Sequence, residues 1–280
     1  MRDKLSDIDV LNDTLKAFDK GQYKVNNKTV TTLDKDTLSN IEVYLPVDIG
    51  TIVNSVCKIN VTSNNCKFDC HNVDTFSMVK MLSQKGVHDI IALNLASPVN
   101  PGGGVRRGAK AQEEDLCRKS SLLLSLESKK ARSYYDFNKK ANTFMGTDAM
   151  MITPVVQIIR DDIGRFQEPI MTSVLTCAAP KLIQGTKINM KEYRELVYNR
   201  IILMLTVVAN KGYKNIILGA WGCGAYGNDA ATISNIFRSA ILNFKHQGYS
   251  YNEIFDSITF AVLDKTSSQY NFKQFKRNFR

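Results

Sequence analysis

DIIALNLASPVNPGGGVRRGAKAQEEDLCRKSSLLLSL, residues 89–126, sets the pattern that the rest of the chain repeats. It opens on an apolar run, Asp89 to Asn94, of the kind that forms a strand buried on both faces. Asn100 and Pro101 lead into Gly102, Gly103 and Gly104, and a helix is expected over Gln112 to Leu126. There Leu116, Cys117, Leu123 and Leu124 share one stripe, so the helix has a face to bury against a sheet. Strand, glycine loop and helix in this order make a βα unit whose loop lies at the carboxyl end of its strand.

The same rhythm recurs outward from that unit. Val73 to Leu82 reads as a helix, Met151 to Ile159 and Ser173 to Ala178 as strands, and Lys191 to Ala209 as a long helix. Asn215 to Leu218 reads as a strand, Asp229 to Phe244 as a helix with an Asn/Asp start signal, and Asp256 to Leu263 as a last strand. The expected fold class is α/β, with helices covering both faces of a central mixed or mostly parallel sheet. No repeat or linker divides the chain. Residues 1–50 are expected to be an N-terminal extension packed on a core formed by residues 51–280, the two making one structural unit because no boundary composition separates them.

Composition narrows the function classes. At 280 residues, 44% apolar and 23% charged, the chain is ordinary for a globular protein. No run approaches the roughly 18 apolar residues of a membrane helix. The amino terminus MRDKLSDIDV lacks a secretory apolar stretch, so an intracellular, cytoplasmic monomer with no membrane partner is expected. The six cysteines then read as thiols. Cys66, Cys70 and His71 form their one cluster, to which Cys57 could add a fourth zinc ligand, but ordinary thiols are the reading adopted: no metal and no cofactor. The net charge of +10 suits a polyanionic partner, although the basic residues are scattered and fit a compositional bias as well.

Two glycine loops carry the candidate chemistry. Three successive glycines lose much conformational freedom on folding, so Gly102, Gly103 and Gly104 suggest backbone passing close to a ligand; a plain flexible turn is the alternative. Their N–H groups, with the start of the next helix, could cradle phosphate oxygens. The second loop, Gly222-Cys223-Gly224-Ala225-Tyr226-Gly227, fits the GxGxxG spacing of dinucleotide-binding enzymes. That rival weakens because no acidic residue ends a strand about 20 residues later and too little chain follows. Gly103 and Gly108 have the glycine spacing of a P-loop, but Ala109 stands where its lysine belongs. The three histidines, His71, His88 and His246, form no recognisable triad, and neither GxSxG nor HExxH occurs. Cys223 is read as a small loop residue and Trp221 as core.

Asn100-Pro-Gly-Gly-Gly104, followed seven residues on by Gln112-Glu113-Glu114, resembles the GGG…QEE signature of bacterial-type poly(ADP-ribose) glycohydrolases. The likeness extends over about residues 70–265, through Leu93-Asn-Leu-Ala-Ser-Pro98, Ile152-Thr-Pro-Val-Val156 with Arg160-Asp-Asp162, Cys177-Ala-Ala-Pro180 and Gly219-Ala-Trp-Gly-Cys-Gly224. It implies a macrodomain-like three-layer α/β/α fold with a helical N-terminal extension and a catalytic domain over 51–280. It also implies that the diphosphate of ADP-ribose is held between the loops, by Gly102, Gly103 and Gly104 and by Gly222, Cys223, Gly224, Ala225, Tyr226 and Gly227.

The same resemblance makes Glu114 the catalytic acid, with Glu113 and Gln112 holding the ribose and shaping the loop. Asn100 would hydrogen-bond the distal ribose and Tyr226, where family members often have Phe, would wedge against it. The acid must hold a proton near neutral pH, which an unperturbed glutamate does not. The implied partner is ADP-ribose or poly(ADP-ribose) attached to protein, or ADP-ribosylated nucleic acid. Removal of single ADP-ribose units and non-catalytic ADP-ribose binding are the alternatives; a carboxylate at the cutting position disfavours the second.

Overall fold

The computed structural model describes residues 6–54, 61, 66–182 and 187–280. In chain order come α1 (Asp7–Asp19), the hairpin β1 (Gln22–Val25) and β2 (Lys28–Thr31), α2 (Lys35–Ser39), β3 (Glu42–Tyr44) and α3 (Pro46–Asn54). Then follow β4 (Lys67–His71), α4 (Thr75–Gln84), β5 (Ile90–Leu95), a 3-10 turn at Val105–Arg107, α5 (Gln112–Lys119), α6 (Leu122–Leu126) and α7 (Arg132–Ala141). The long hairpin of β6 (Met150–Arg160) and β7 (Phe166–Cys177) leads to α8 (Met190–Asn210), β8 (Asn215–Leu218) and α9 (Ala230–Asn243). A two-residue pair β9 (Lys245–His246) and β10 (Tyr249–Ser250), α10 (Tyr251–Ile254), β11 (Ser257–Ala261) and α11 (Tyr270–Asn278) complete the chain.

Seven strands form the central sheet in the order β3-β6-β7-β5-β8-β11-β4. β7, β5, β8, β11 and β4 run parallel, while β6 is antiparallel to both of its neighbours, so the sheet is mixed. Strand alternation divides β5 between two cores: Ile91 and Leu93 pack with Val197 and Ile201 of α8, whereas Ile90 and Ala92 pack with Val79 of α4 and Leu116 of α5. The result is the expected three-layer α/β/α sandwich, held by two buried apolar cores, the one on the α8 side rich in aromatic rings such as Trp221, Phe237 and Phe260.

Some elements differ from expectation. The single helix foreseen over Gln112 to Leu126 breaks at Ser120 and Ser121. Ser120 is extended and bridges Ile158, while the Ser121 N–H donates to the Gln157 carbonyl (3.1 Å) and its Oγ accepts from the Gln157 N–H (3.0 Å). Two serines in succession offer the backbone these local partners, and the strand takes them in preference to helix. β7 begins well before Ser173, because Pro169 and the polar Gln167 and Glu168 hide the alternation of a hairpin arm. The extension holds a hairpin and strand β3 besides helices, and β3 pairs Glu42 with Ile152 and Tyr44 with Met150 in the main sheet.

Candidate active site

β5 and β8 are neighbours, pairing Ile90 with Asn215 and Ala92 with Ile217. Since they run parallel, the loops that leave their carboxyl ends, one through Gly102 and the other through Gly222, start side by side. Tyr226 closes the gap between them: its hydroxyl reaches the Ala96 carbonyl at 3.4 Å, and burial together with the Glu113 carboxyl pushes it up to about 12.

The first loop is shaped around two carboxylates. The Gly104 N–H donates to Glu114 Oε1 at 2.8 Å. Glu114 Oε2 is buried and has no hydrogen-bond partner among the described residues. Gly103 has φ +59°, and a Cβ there would collide with Glu114 Oε1 and lie 3.1 Å from Glu113 Oε2, so only glycine lets the chain pass over both acids. Both sit in the first turn of α5, where the N-cap is Ala111 and supplies no side-chain bond. The helix start lacks a side-chain cap, a local departure from stability that fits a working site, while its positive end favours the acids of that first turn.

The two glutamates are used differently. Glu113, 3% exposed, accepts the Ser97 N–H (2.7 Å) and the Asn94 amide (3.3 Å). Burial pushes its carboxyl up to about 8, against the pull of the Ser97, Asn94 and Gly102 donors and helped by the neighbouring Glu114 charge. Gln112 is committed to the scaffold: its carbonyl accepts the Leu95 N–H (2.8 Å), and its amide donates to Thr75 Oγ1 (2.9 Å) and the Leu93 carbonyl (2.7 Å). These two residues therefore fasten the start of α5 to the end of β5 and to α4, leaving Glu114 with the free oxygen.

Asn100 turns the chain into the glycine run, its carbonyl accepting the Gly103 N–H (2.9 Å) and its exposed side chain making no hydrogen bond among the described residues. In the second loop Gly224 and Ala225 are exposed at the tip, Gly227 (φ +71°) closes the turn, and Cys223 gives its thiol to the Trp221 carbonyl (3.6 Å). Burial pushes that thiol well up, so it is a packing group. Trp221 is fully buried and donates to the Cys177 carbonyl (3.0 Å).

Asn228 is a site residue that sequence reading missed. It is 4% exposed and donates to the carbonyls of Pro180 and Gly222, both at 2.8 Å, while accepting from the Tyr193 hydroxyl. A Cβ at Gly222 (φ +75°) would strike this amide, so loop and asparagine are fitted to each other. Its position just past a glycine loop at a helix start was the available signal. α9 begins immediately after, so its N-terminus faces the loop and favours an anion there.

Elsewhere, Cys66 and Cys70 are buried, and burial pushes both thiols up to about 12. His71 pairs with Asp69 at 2.6 Å. Cys57 lies outside the described residues. Among those residues no helix is long and apolar enough to cross a membrane.

Comparison with known proteins bears directly on this arrangement. The family model for the microbial-type PARG catalytic domain matches residues 12–161, more than half of the chain. The chain belongs to the microbial-type poly(ADP-ribose) glycohydrolase family. Its structure is similar to that of the poly(ADP-ribose) glycohydrolase of Thermomonospora curvata, at 25% identity and TM-score 0.89 over 98% of this chain and 99% of that one. The same enzyme bound to the inhibitor ADP-HPD matches at TM-score 0.85 with the same identity and coverage. The glycohydrolase of Deinococcus radiodurans in complex with ADP-ribose is 31% identical, with TM-score 0.79 over 89% of this chain and 98% of that one. No curated protein sequence matches significantly. The chain is thus a glycosidase of the poly(ADP-ribose) glycohydrolase type on a macrodomain-like fold.

Proposed function

We propose that the protein hydrolyses the O-glycosidic ribose–ribose bond of protein-attached poly(ADP-ribose), releasing ADP-ribose, with Glu114 as general acid and then general base. The observation that carries the assignment is the asymmetry of the Glu114 carboxyl, with Oε1 held by the Gly104 N–H and Oε2 buried without a partner. An oxygen that accepts an N–H bond acts as the carbonyl-like acceptor, so the proton of the acid form belongs on Oε2. A buried polar atom without a partner costs about 1–3 kcal/mol, a cost that a substrate oxygen would relieve on binding.

In the first step Oε2–H gives its proton to the departing 2′-oxygen while the bond from that oxygen to the distal C1 breaks and its electron pair stays on the oxygen. The distal ribose becomes an oxocarbenium ion, and the carboxylate left on Glu114 takes a proton from the attacking water as the new C–O bond forms. The Glu113 hydrogen bonds fix the backbone from which Glu114 projects, and Tyr226 and Asn100 are assigned to the distal ribose. Gly222 to Gly227 and the start of α9 are assigned to the diphosphate.

Incubation of the purified chain with poly(ADP-ribose), and separately with protein carrying single ADP-ribose units, tests the reading. Free ADP-ribose is expected from the polymer. Release from the singly modified protein alone would transfer the assignment to mono-ADP-ribosyl hydrolysis, and release from neither would leave an ADP-ribose-binding module.

A further inference from the structure

We propose that Arg107 binds a phosphate of the leaving ADP-ribose unit and so favours a polymer over a single attached unit, a proposal that rests on the hydrolytic reading above. The position beside Gly104 that a Cβ would occupy lies 3.7 Å from Glu114 Oε1 and 3.8 Å from the Arg107 guanidinium Nη2. Glu114 Oε1 and the guanidinium are thus separated by no more than the sum of those two lengths, with the Ala109 Cβ 2.8 Å from the same point.

The chain between Gly104 and α5 holds further cations, and these are spoken for. Arg106 makes a two-pronged contact with Glu127, at 2.8 and 2.7 Å, and Lys110 pairs with Asp7 at 2.9 Å. The Arg107 guanidinium, on an exposed residue, makes neither a hydrogen bond nor an ion pair among the described residues. Its backbone is nonetheless fixed. The Arg107 N–H donates to the Gly104 carbonyl (2.9 Å), Val105 is 1% exposed, and a Cβ added to Gly108 (φ +77°) would meet the Ile8 side chain of α1 at 3.5 Å. An uncommitted fork on a fixed backbone, next to the proton donor, is suited to an oxyanion of the substrate.

The leaving group of the polymer supplies one. There the departing oxygen is the 2′-oxygen of an adenosine, and its own 5′-phosphate lies one sugar away, a reach that the upper bound between Glu114 Oε1 and the Arg107 guanidinium allows. When a single unit leaves a protein side chain, the leaving group carries no phosphate. The diphosphate of the unit in the pocket is assigned to the second loop, which leaves this guanidinium for the unit beyond the scissile bond.

Kinetics of poly(ADP-ribose) hydrolysis by Arg107→Ala and Arg107→Lys, with calorimetric ADP-ribose binding to each, decide the matter. The alanine variant is expected to raise KM for the polymer roughly tenfold, with a shallower dependence of KM on salt. Lysine should restore part of the loss, being a charge without the fork. ADP-ribose affinity should stay at the wild-type value, because free ADP-ribose has no unit beyond the bond. An unchanged KM would overturn the proposal, and so would a matching loss of ADP-ribose affinity, which would place the guanidinium on the unit in the pocket. A wild-type chain inactive on polymer would instead overturn the hydrolytic reading, and this proposal with it.

Discussion

Glu113 and Glu114 are adjacent, yet one is surrounded by donors and the other keeps an oxygen free. Because burial raises the folded-state pKa of Glu113 from 4.5 to about 8, folding favours its protonated form. Its contribution is full below the unfolded value and is lost as pH rises through about 8. Denaturant unfolding between pH 5 and 9 should therefore show the wild type losing stability relative to Glu113→Gln, and parallel curves would contradict it. Gly103→Ala places a methyl group on both carboxylates at a left-handed φ, and is expected to cost about 1–3 kcal/mol and most of the turnover. Thermal melts and kcat check both effects. At this scale the sequence was informative about which residues gather: the glycine run and Gln112 to Glu114 meet, as the family resemblance implied. The division of tasks was not legible, since Gln112 and Glu113 are defined by bonds to Leu95, Thr75 and Asn94, partners set by the tertiary fold.

α1 shows what an element can do that its own sequence does not announce. Its amphipathic pattern says only that Leu11, Ala17 and Phe18 are buried. In the fold, Thr14 Oγ1 donates to the Arg118 carbonyl (2.7 Å), and Asp7 and Ile8 brace Lys110 and Gly108 at the back of the first loop. Leu11→Ala should cost about 2–5 kcal/mol and lower kcat more than it raises KM, as a chemical denaturation series with steady-state kinetics would reveal. In the second loop, Asn228→Ala removes two carbonyl partners and strands the Tyr193 hydroxyl. A stability loss of about 2–3 kcal/mol is expected with weakened ADP-ribose binding by calorimetry. The long periodic elements, β5, α8 and α9, were readable because each buries a continuous apolar face. The break at Ser120 and the three-residue β3 were not, because each owes its conformation to a strand distant in sequence.

For the whole molecule, the decisive fact is sheet order. Local pattern placed both glycine loops at carboxyl ends of strands, but that β5 lies beside β8 follows from hydrogen bonds between residues more than a hundred positions apart. β3 brings part of the first fifty residues into that same sheet, and α1 closes over one of its faces. We accordingly expect extension and core to unfold together, in one calorimetric transition; two separated transitions would divide the chain at that boundary. On the proposed function, the assembly brings a backbone cradle and one acid to one substrate, and the acid can be replaced while its contact with the cradle is kept. Glu114→Gln keeps the Gly104 contact and removes the ionisable proton. The measurement is kcat on poly(ADP-ribose) alongside calorimetric ADP-ribose affinity for this variant. A fall in kcat of about 10²–10⁴-fold with affinity nearly intact is predicted, whereas turnover close to the wild type would contradict the assignment.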